Sequence, residues 1–107
     1  MNNLIYISGK ITGTTDYLER FQKAEDELTA KGYRVVNPAK VCSYLPELSH
    51  SEYMNICIEM LKPCDSVYFL EDWVNSIGAC FEYQFSMLND KIIKFAVDER
   101  SEENDNL

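Results

Sequence analysis

The sequence predicts an α/β protein of three layers: a four-stranded parallel sheet, in the order 2-1-3-4, flanked by helices. Three observations predict it. Short apolar runs at 4–7, 33–36, 66–70 and 91–97 alternate with segments of helical spacing, and strand–helix alternation implies a parallel sheet joined by right-handed crossovers. The runs at 4–7 and 66–70 are continuously apolar, the pattern of strands covered on both faces. A chain of 107 residues has room for one domain, and neither an internal repeat nor a linker divides it.

Each element has a local cause. Leu4-Ile5-Tyr6-Ile7 ends at Ser8-Gly9, where glycine supplies the turn. Tyr17, Phe21, Ala24 and Leu28 then recur at helical spacing with charges between them, and Gly32 closes a helix of roughly four turns. Glu19, Glu25, Asp26 and Glu27 form its solvated face. Tyr33-Arg34-Val35-Val36 is the second strand, and Asn37-Pro38 stops it and shapes the chain beyond. Residues 39–48 have no clean period and contain Pro46, so they are expected as loop, with His50 a solvated loop residue after them. Ser49-x-x-Glu52 matches a capping box, and Met54, Cys57, Ile58 and Leu61 form one stripe up to Pro63. Asp65 fits a turn or cap before the third strand, 66–70. Asn75-Ser76 offers an N-cap for a third helix running to about Asn89, and 91–97 is the fourth strand. The expected domain is 1–97; residues 98–107 hold five acids and one arginine and form an acidic, disordered tail.

Composition excludes several function classes. Ten basic against eighteen acidic residues give a net charge of −8, which opposes binding to a nucleic-acid polymer, where a basic face must displace counterions. No apolar run approaches the ~20 residues of a bilayer span, and no basic-then-apolar leader opens the chain. The expectation is a soluble, cytoplasmic protein without membrane association. Cys42, Cys57, Cys64 and Cys80 form no C-x-x-C pair and accompany a single histidine, which argues against a zinc site. Cys57, Cys64 and Cys80 lie in apolar surroundings and fit reduced core residues.

In a flavodoxin-like, Rossmann-like sheet of this order, ligands bind beyond the carboxyl ends of the strands, between the first and third. Two loops therefore carry function, 8–16 and 71–76. The first, Ser8-Gly9-Lys10-Ile11-Thr12-Gly13-Thr14-Thr15-Asp16, combines two glycines with four hydroxyl residues before a helix. It either cradles an anion, with Lys10 adding a cation, or only turns the chain. It matches neither a Walker A sequence nor a G-x-G-x-x-G fingerprint.

Residues 73–89 carry one charge in seventeen positions, Glu82. On a helix, Ile77, Phe81, Phe85 and Leu88 form an apolar row beside a small or polar row of Gly78, Glu82, Ser86 and Asn89. A carboxylate beside an apolar stripe on a largely buried helix is costly without a partner or a role. Glu82 leans back over Gly78, whose missing side chain leaves space near the crevice. It is either a pocket carboxylate or one arm of a buried salt bridge or cap. Trp73 either stacks on a base or closes a core edge.

Ile5-Tyr6-Ile7-Ser8-Gly9-x-Ile11-Thr12-Gly13, Phe21-x-x-Ala24-x-x-x-Leu28, Gly32-Tyr33-x-Val35-Val36-Asn37-Pro38 and Cys64-Asp65-x-Val67-Tyr68-x-Leu70-x-x-Trp73-x-x-Ser76-x-Gly78-Ala79-x-x-Glu82 together resemble the nucleoside 2-deoxyribosyltransferase-like superfamily. The likeness is nearest its small, uncharacterised phage and bacterial branch (DUF4406-like) and spans residues 4 to about 96. The resemblance implies cleavage of an N-glycosidic bond in a nucleoside or nucleoside 5′-monophosphate. It puts Glu82 in the place of the nucleophile and Tyr6 close to it. It assigns phosphate contacts to Ser8, Gly9, Lys10, Ile11 and Ser76, and base or sugar contacts to Asp72 or Glu71, near Trp73 and Gly78. A homodimer or larger assembly is expected, since a domain of ~100 residues offers few residues to enclose a substrate. The family's transferases complete each site with residues near the C-terminus of a neighbouring subunit, and the acidic tail here has no obvious counterpart to them. The chain departs from the pattern at Lys10, where relatives usually have proline, and at Tyr83 and Gln84, which replace small residues after the glutamate and are expected to narrow the pocket.

The residue types suit that chemistry. Loss of the base leaves an oxocarbenium-like sugar, which an adjacent carboxylate stabilises and traps. The reaction requires no metal and no redox cofactor, and a donor such as the Tyr6 hydroxyl helps keep a buried carboxylate ionised. A non-catalytic nucleotide-binding protein of the same fold, sequestering a nucleotide for a phage, is the alternative.

Overall fold

A computed structural model of the chain describes residues 2–96. The acidic tail expected at 98–107, and Val97 at the end of the expected fourth strand, lie outside the described residues. The chain runs β1 (Leu4–Ser8), α1 (Tyr17–Ala30), β2 (Arg34–Val36), α2 (Pro38–Cys42), α3 (His50–Leu61), β3 (Ser66–Phe69), a 3-10 turn (Trp73–Asn75), α4 (Ile77–Leu88) and β4 (Ile92–Phe95). All strands are parallel in the order β2-β1-β3-β4. The four strands and their order are those the sequence predicts.

The helix ends follow from their caps. Gly32, at φ +97°, takes the left-handed conformation just past α1 and lets the Tyr33 N–H reach back to the Leu28 carbonyl at 3.1 Å. At α3 both halves of the capping box form: Ser49 Oγ accepts from the Glu52 N–H at 3.2 Å, and Glu52 Oε1 accepts from the Ser49 N–H at 2.8 Å. Ser76 caps α4 by accepting from the Ala79 N–H at 3.1 Å.

Residues 39–48 are not all loop. Asn37 accepts from the Lys40 N–H at 3.1 Å, Pro38 takes the first helical position, and α2 follows for five residues. So short a helix has no period to read. Its anchor corrects a second expectation, because Glu25 is not simply solvated: it accepts from Asn37 Nδ2 at 3.0 Å and lies 3.8 Å from Lys40 Nζ. His50 is the first residue of α3 rather than part of a loop.

Alternation along β1 and β3 divides the core in two. Ile5, Ile7, Tyr68 and Leu70 pack with Phe21, Ala24 and Leu28 of α1. Tyr6, Val67 and Phe69 pack on the other face with Leu61 and Cys64. Cys64 is buried, whereas Cys57 and Cys80 are only partly so, and all four cysteines are free thiols. No helix among the described residues is long and apolar enough to cross a membrane.

Glu82 faces the crevice as expected, but the fourth helix is less buried than the sequence suggests. Its buried residues are Ala79, Glu82 and Ser86. Of the apolar row, only Phe85 packs against the core, while Ile77, Phe81 and Leu88 stand 83%, 53% and 84% exposed. The reason lies across from it. On this face β1 presents the hydroxyls of Tyr6 and Ser8, and a carboxylate that finds such partners can be buried where an alkyl group would leave them unpaired.

Candidate active site

Tyr6 and Ser8 are two residues apart on β1 and therefore point to the same face. β1 lies between β2 and β3, with Tyr6 opposite Val36 on one side and Val67 on the other. Both side chains are buried. Glu82, one turn into α4, meets this pair. The Tyr6 hydroxyl donates to Oε2, and the Ser8 hydroxyl donates to Oε1 at 2.6 Å. The carboxylate is 5% exposed, and among the described residues these two hydroxyls are its partners, with no cation paired to it.

Burial raises the Glu82 carboxyl from its ordinary 4.5 to about 7, and the hydrogen bonds from Ser8 and Tyr6 restrain the rise. Burial, and then the charge of Glu82, push the Tyr6 hydroxyl well above its usual range. Tyr6 therefore stays protonated and keeps donating. Each carboxylate oxygen has two lone pairs, so one remains on each after these bonds form.

Glu82 lies on the wall of a cavity of about 640 Å³, within the ~300–1,000 Å³ usual for small-molecule sites. The loop after β1 supplies one side through Gly9, Lys10 and Ile11, and the start of α4 supplies another through Ser76 and Gly78. The cavity thus sits beyond the carboxyl ends of β1 and β3, where the strand order reverses. Gly9 is required by close approach: a Cβ there would sit 2.8 Å from Leu70 Cδ1 and 3.0 Å from Leu70 Cβ.

The structure brings eight predicted residues to one cavity: Tyr6, Ser8, Gly9, Lys10, Ile11, Ser76, Gly78 and Glu82. It sets two apart. Asp72 pairs with Arg20 at 3.1 Å and, with Glu71, borders a separate groove beside α1. The guanidinium also binds the Lys10 carbonyl at 2.8 Å, so Asp72 steadies the loop from behind. Trp73 stacks on Tyr83 with ring centroids 4.8 Å apart and joins Phe69 and Phe95 in an aromatic cluster. Tyr83 thus does not narrow the cavity, and neither does Gln84, which lines a different surface groove. Nor does Gly78 make room for Glu82. The space it leaves is taken up by α3, since a Cβ there would lie 3.0 Å from Met54 Sδ and 3.9 Å from His50 Cε1. Asp65 is structural, accepting from the Asn2 N–H at 2.5 Å.

The third wall was missed. Cys42 of α2, with His50, Tyr53, Met54 and Cys57 of α3, lines the same cavity as Glu82. Cys57 interacts with both the Tyr6 hydroxyl and the Cys42 thiol, and burial pushes its own thiol up to about 12. The inward period of α3 was legible, but it does not distinguish residues facing a cavity from residues facing a core.

Fold and site together define a class: an α/β protein with a parallel sheet whose switch point holds a buried, hydroxyl-held carboxylate facing a cavity. The family described as "Domain of unknown function (DUF4406)" matches residues 3–95, and the chain belongs to that family. Comparison with curated proteins and with solved structures returns no match.

Proposed function

We propose that this protein cleaves the N-glycosidic bond of a nucleoside or nucleoside 5′-monophosphate, as a glycosidase or a 2-deoxyribosyltransferase-like enzyme, with Glu82 as nucleophile. The observation that carries this reading is the Glu82 carboxylate, buried at 5% exposure on the wall of a 640 Å³ cavity and held by two hydroxyls. A carboxylate kept only for stability is ordinarily paired with a cation. This one is aimed by two neutral donors, which favour its charged form against the burial that opposes it and leave a lone pair free on each oxygen. The motif likeness to the deoxyribosyltransferase-like superfamily supplies the substrate class.

In the first step a Glu82 oxygen bonds to the anomeric carbon, and the bond to the base nitrogen breaks with its electron pair leaving on the base. Water then attacks the glycosyl ester: its hydroxyl stays on the sugar, its proton balances the departed base, and Glu82 returns as carboxylate. A second base in place of water makes the reaction a transfer. Two displacements retain the anomeric configuration. Tyr6 and Ser8 hold the oxygens in line and moderate their basicity. The loop over Ser8, Gly9, Lys10 and Ile11, with Ser76 at the start of α4, is suited to the sugar or its 5′-phosphate. Self-association into a homodimer or larger assembly belongs to the same reading.

The test is incubation of purified protein with deoxynucleosides and their monophosphates, following free base by chromatography, with Glu82→Gln beside it. Base release that disappears in Glu82→Gln supports the enzyme. Tight binding without release in either protein overturns it and selects a nucleotide-sequestering protein.

A further inference from the structure

Glu82 alone does not complete the chemistry of the cavity. As the glycosidic bond breaks, its electron pair leaves on the base, and a base that departs without a proton is a poor leaving group. An acid positioned beside it contributes ~10²–10⁴-fold. The acidic residues that follow β3 are not available for this. Glu71 and Asp72 border the separate groove beside α1, and Arg20 holds Asp72 there at 3.1 Å. Among the described residues that line the cavity, Glu82 is the one carboxylate. Burial pushes the Tyr6 hydroxyl well above its usual range and the Cys57 thiol up to about 12, so neither gives up a proton near neutral pH.

The chain has a single histidine, His50, and it lines this cavity. It is the first residue of α3, directly after the capping box of Ser49 and Glu52, which fixes the backbone that presents it. Its Cε1 lies 3.9 Å from the place a Cβ on Gly78 would occupy. The imidazole is therefore set against α4 one turn before Glu82, ~6 Å along the helix axis. It is exposed at the cavity rim, and among the described residues no hydrogen bond ties it down. Imidazole, unlike a phenol or an ammonium group, ordinarily exchanges its proton near neutral pH. The surroundings suit a base as well. The loop after β1 and Ser76 are suited to the sugar or its phosphate, whereas α3 adds Tyr53 and Met54 to the wall beside His50, an aromatic ring and a thioether for a flat ring to pack on.

We propose that His50 is a second catalytic residue, the acid that protonates the departing base. This rests on the functional reading above. The imidazolium N–H passes its proton to a ring nitrogen or carbonyl oxygen of the base while a Glu82 oxygen bonds to the anomeric carbon and the glycosidic electron pair moves onto the base. The neutral imidazole then takes the proton of the water that attacks the glycosyl ester. The protein thus ends with the carboxylate and the imidazolium it began with.

The experiment compares kcat/KM for base release by the wild type and His50→Gln, with circular dichroism on both. The substrates are the best deoxynucleoside or monophosphate of the panel above and its analogues fluorinated or chlorinated on the base, which depart more easily without a proton. With the parent substrate the variant is expected to lose ~100-fold. That deficit is expected to shrink with every more acidic base, by about tenfold across the series. A deficit equal for every base marks a merely structural part for His50 and overturns the proposal; so does a variant as fast as the wild type on the parent substrate. Either result leaves Glu82 as nucleophile untouched. A wild type that releases no base from any substrate is the different failure, that of the functional reading, and the proposal falls with it.

Discussion

The inner and outer faces of α4 reverse the usual partition. Inside are a glutamate, a serine and an alanine; outside are an isoleucine, a phenylalanine, a methionine and a leucine. An amphipathic helix normally buries its apolar stripe, and the inversion here has a distinct cause on each side. Inward, the hydroxyls of β1 give the carboxylate partners that an alkyl group could not satisfy. Outward, the apolar row meets no other element among the described residues and stands more than half exposed at Ile77, Phe81, Met87 and Leu88. The comparison teaches that a helix with a job on its buried face can be oriented by two or three polar contacts against its own hydrophobicity.

The sharpest way to break this comparison is at Glu82. Glu82→Gln is expected to lower base release at least ~10³-fold, measured as kcat/KM, with little change in fold, because the amide preserves shape but not nucleophilicity. The same variant reads the cost of the buried charge. The carboxyl is raised to about 7 in the folded protein, from an ordinary 4.5. Between these values the folded state holds a proton that the unfolded chain has lost. Wild-type stability therefore falls as pH rises through that window and is constant beyond it. Thermal melts should show the glutamine variant gaining on the wild type from about pH 5 to about pH 8.

Next in size is the pH profile. The nucleophile must be ionised, so kcat/KM should rise with pH and reach half its plateau near 7. Ser8→Ala removes a hydrogen bond that lowers this value, and the acid limb should move to higher pH; a limb that stays in place removes Ser8 from the site. Packing separates the two faces by smaller amounts. Ala79→Leu on the buried side should cost about 1–3 kcal/mol in denaturant unfolding by overfilling the space under the helix. Ser86 has a buried hydroxyl without a hydrogen-bond partner among the described residues, so Ser86→Ala should be neutral or stabilising by up to ~1 kcal/mol. Met87→Gln on the exposed side should lie within ~0.5 kcal/mol in the dilute chain.

The strands, the order of the sheet and most caps were legible because each has a local signature. Leu4–Ile7 reads as a strand buried on both faces, Ser49 with Glu52 as a helix start, and Gly32 as a helix stop. The association of Ser8, Ser76 and Glu82 followed from placing the loop after β1 and the start of α4 at one switch point, whereas that of Tyr6 with Glu82 came from the motif resemblance alone. What failed has physical causes. The burial of α4 was overestimated because hydrophobic periodicity cannot register an interior lined with hydroxyls. Asp72 and Trp73 follow β3, as expected, but Arg20 and the ring of Tyr83 hold them away from the cavity. The wall formed by α2 and α3 escaped notice because Asn37 and Pro38 start a helix too brief to show a repeat, and because His50 looked like part of the irregular stretch before it.

The two hydroxyls that aim Glu82 come from alternate positions of an interior strand whose backbone is bonded on both edges. A slip of one residue would send both to the opposite side of the sheet, so the aim cannot degrade by degrees. The aim of Glu82 should be lost in denaturant together with the sheet, with no weakened but folded form in between. The loop beside it can loosen first, but the pair of hydroxyls should vanish all at once.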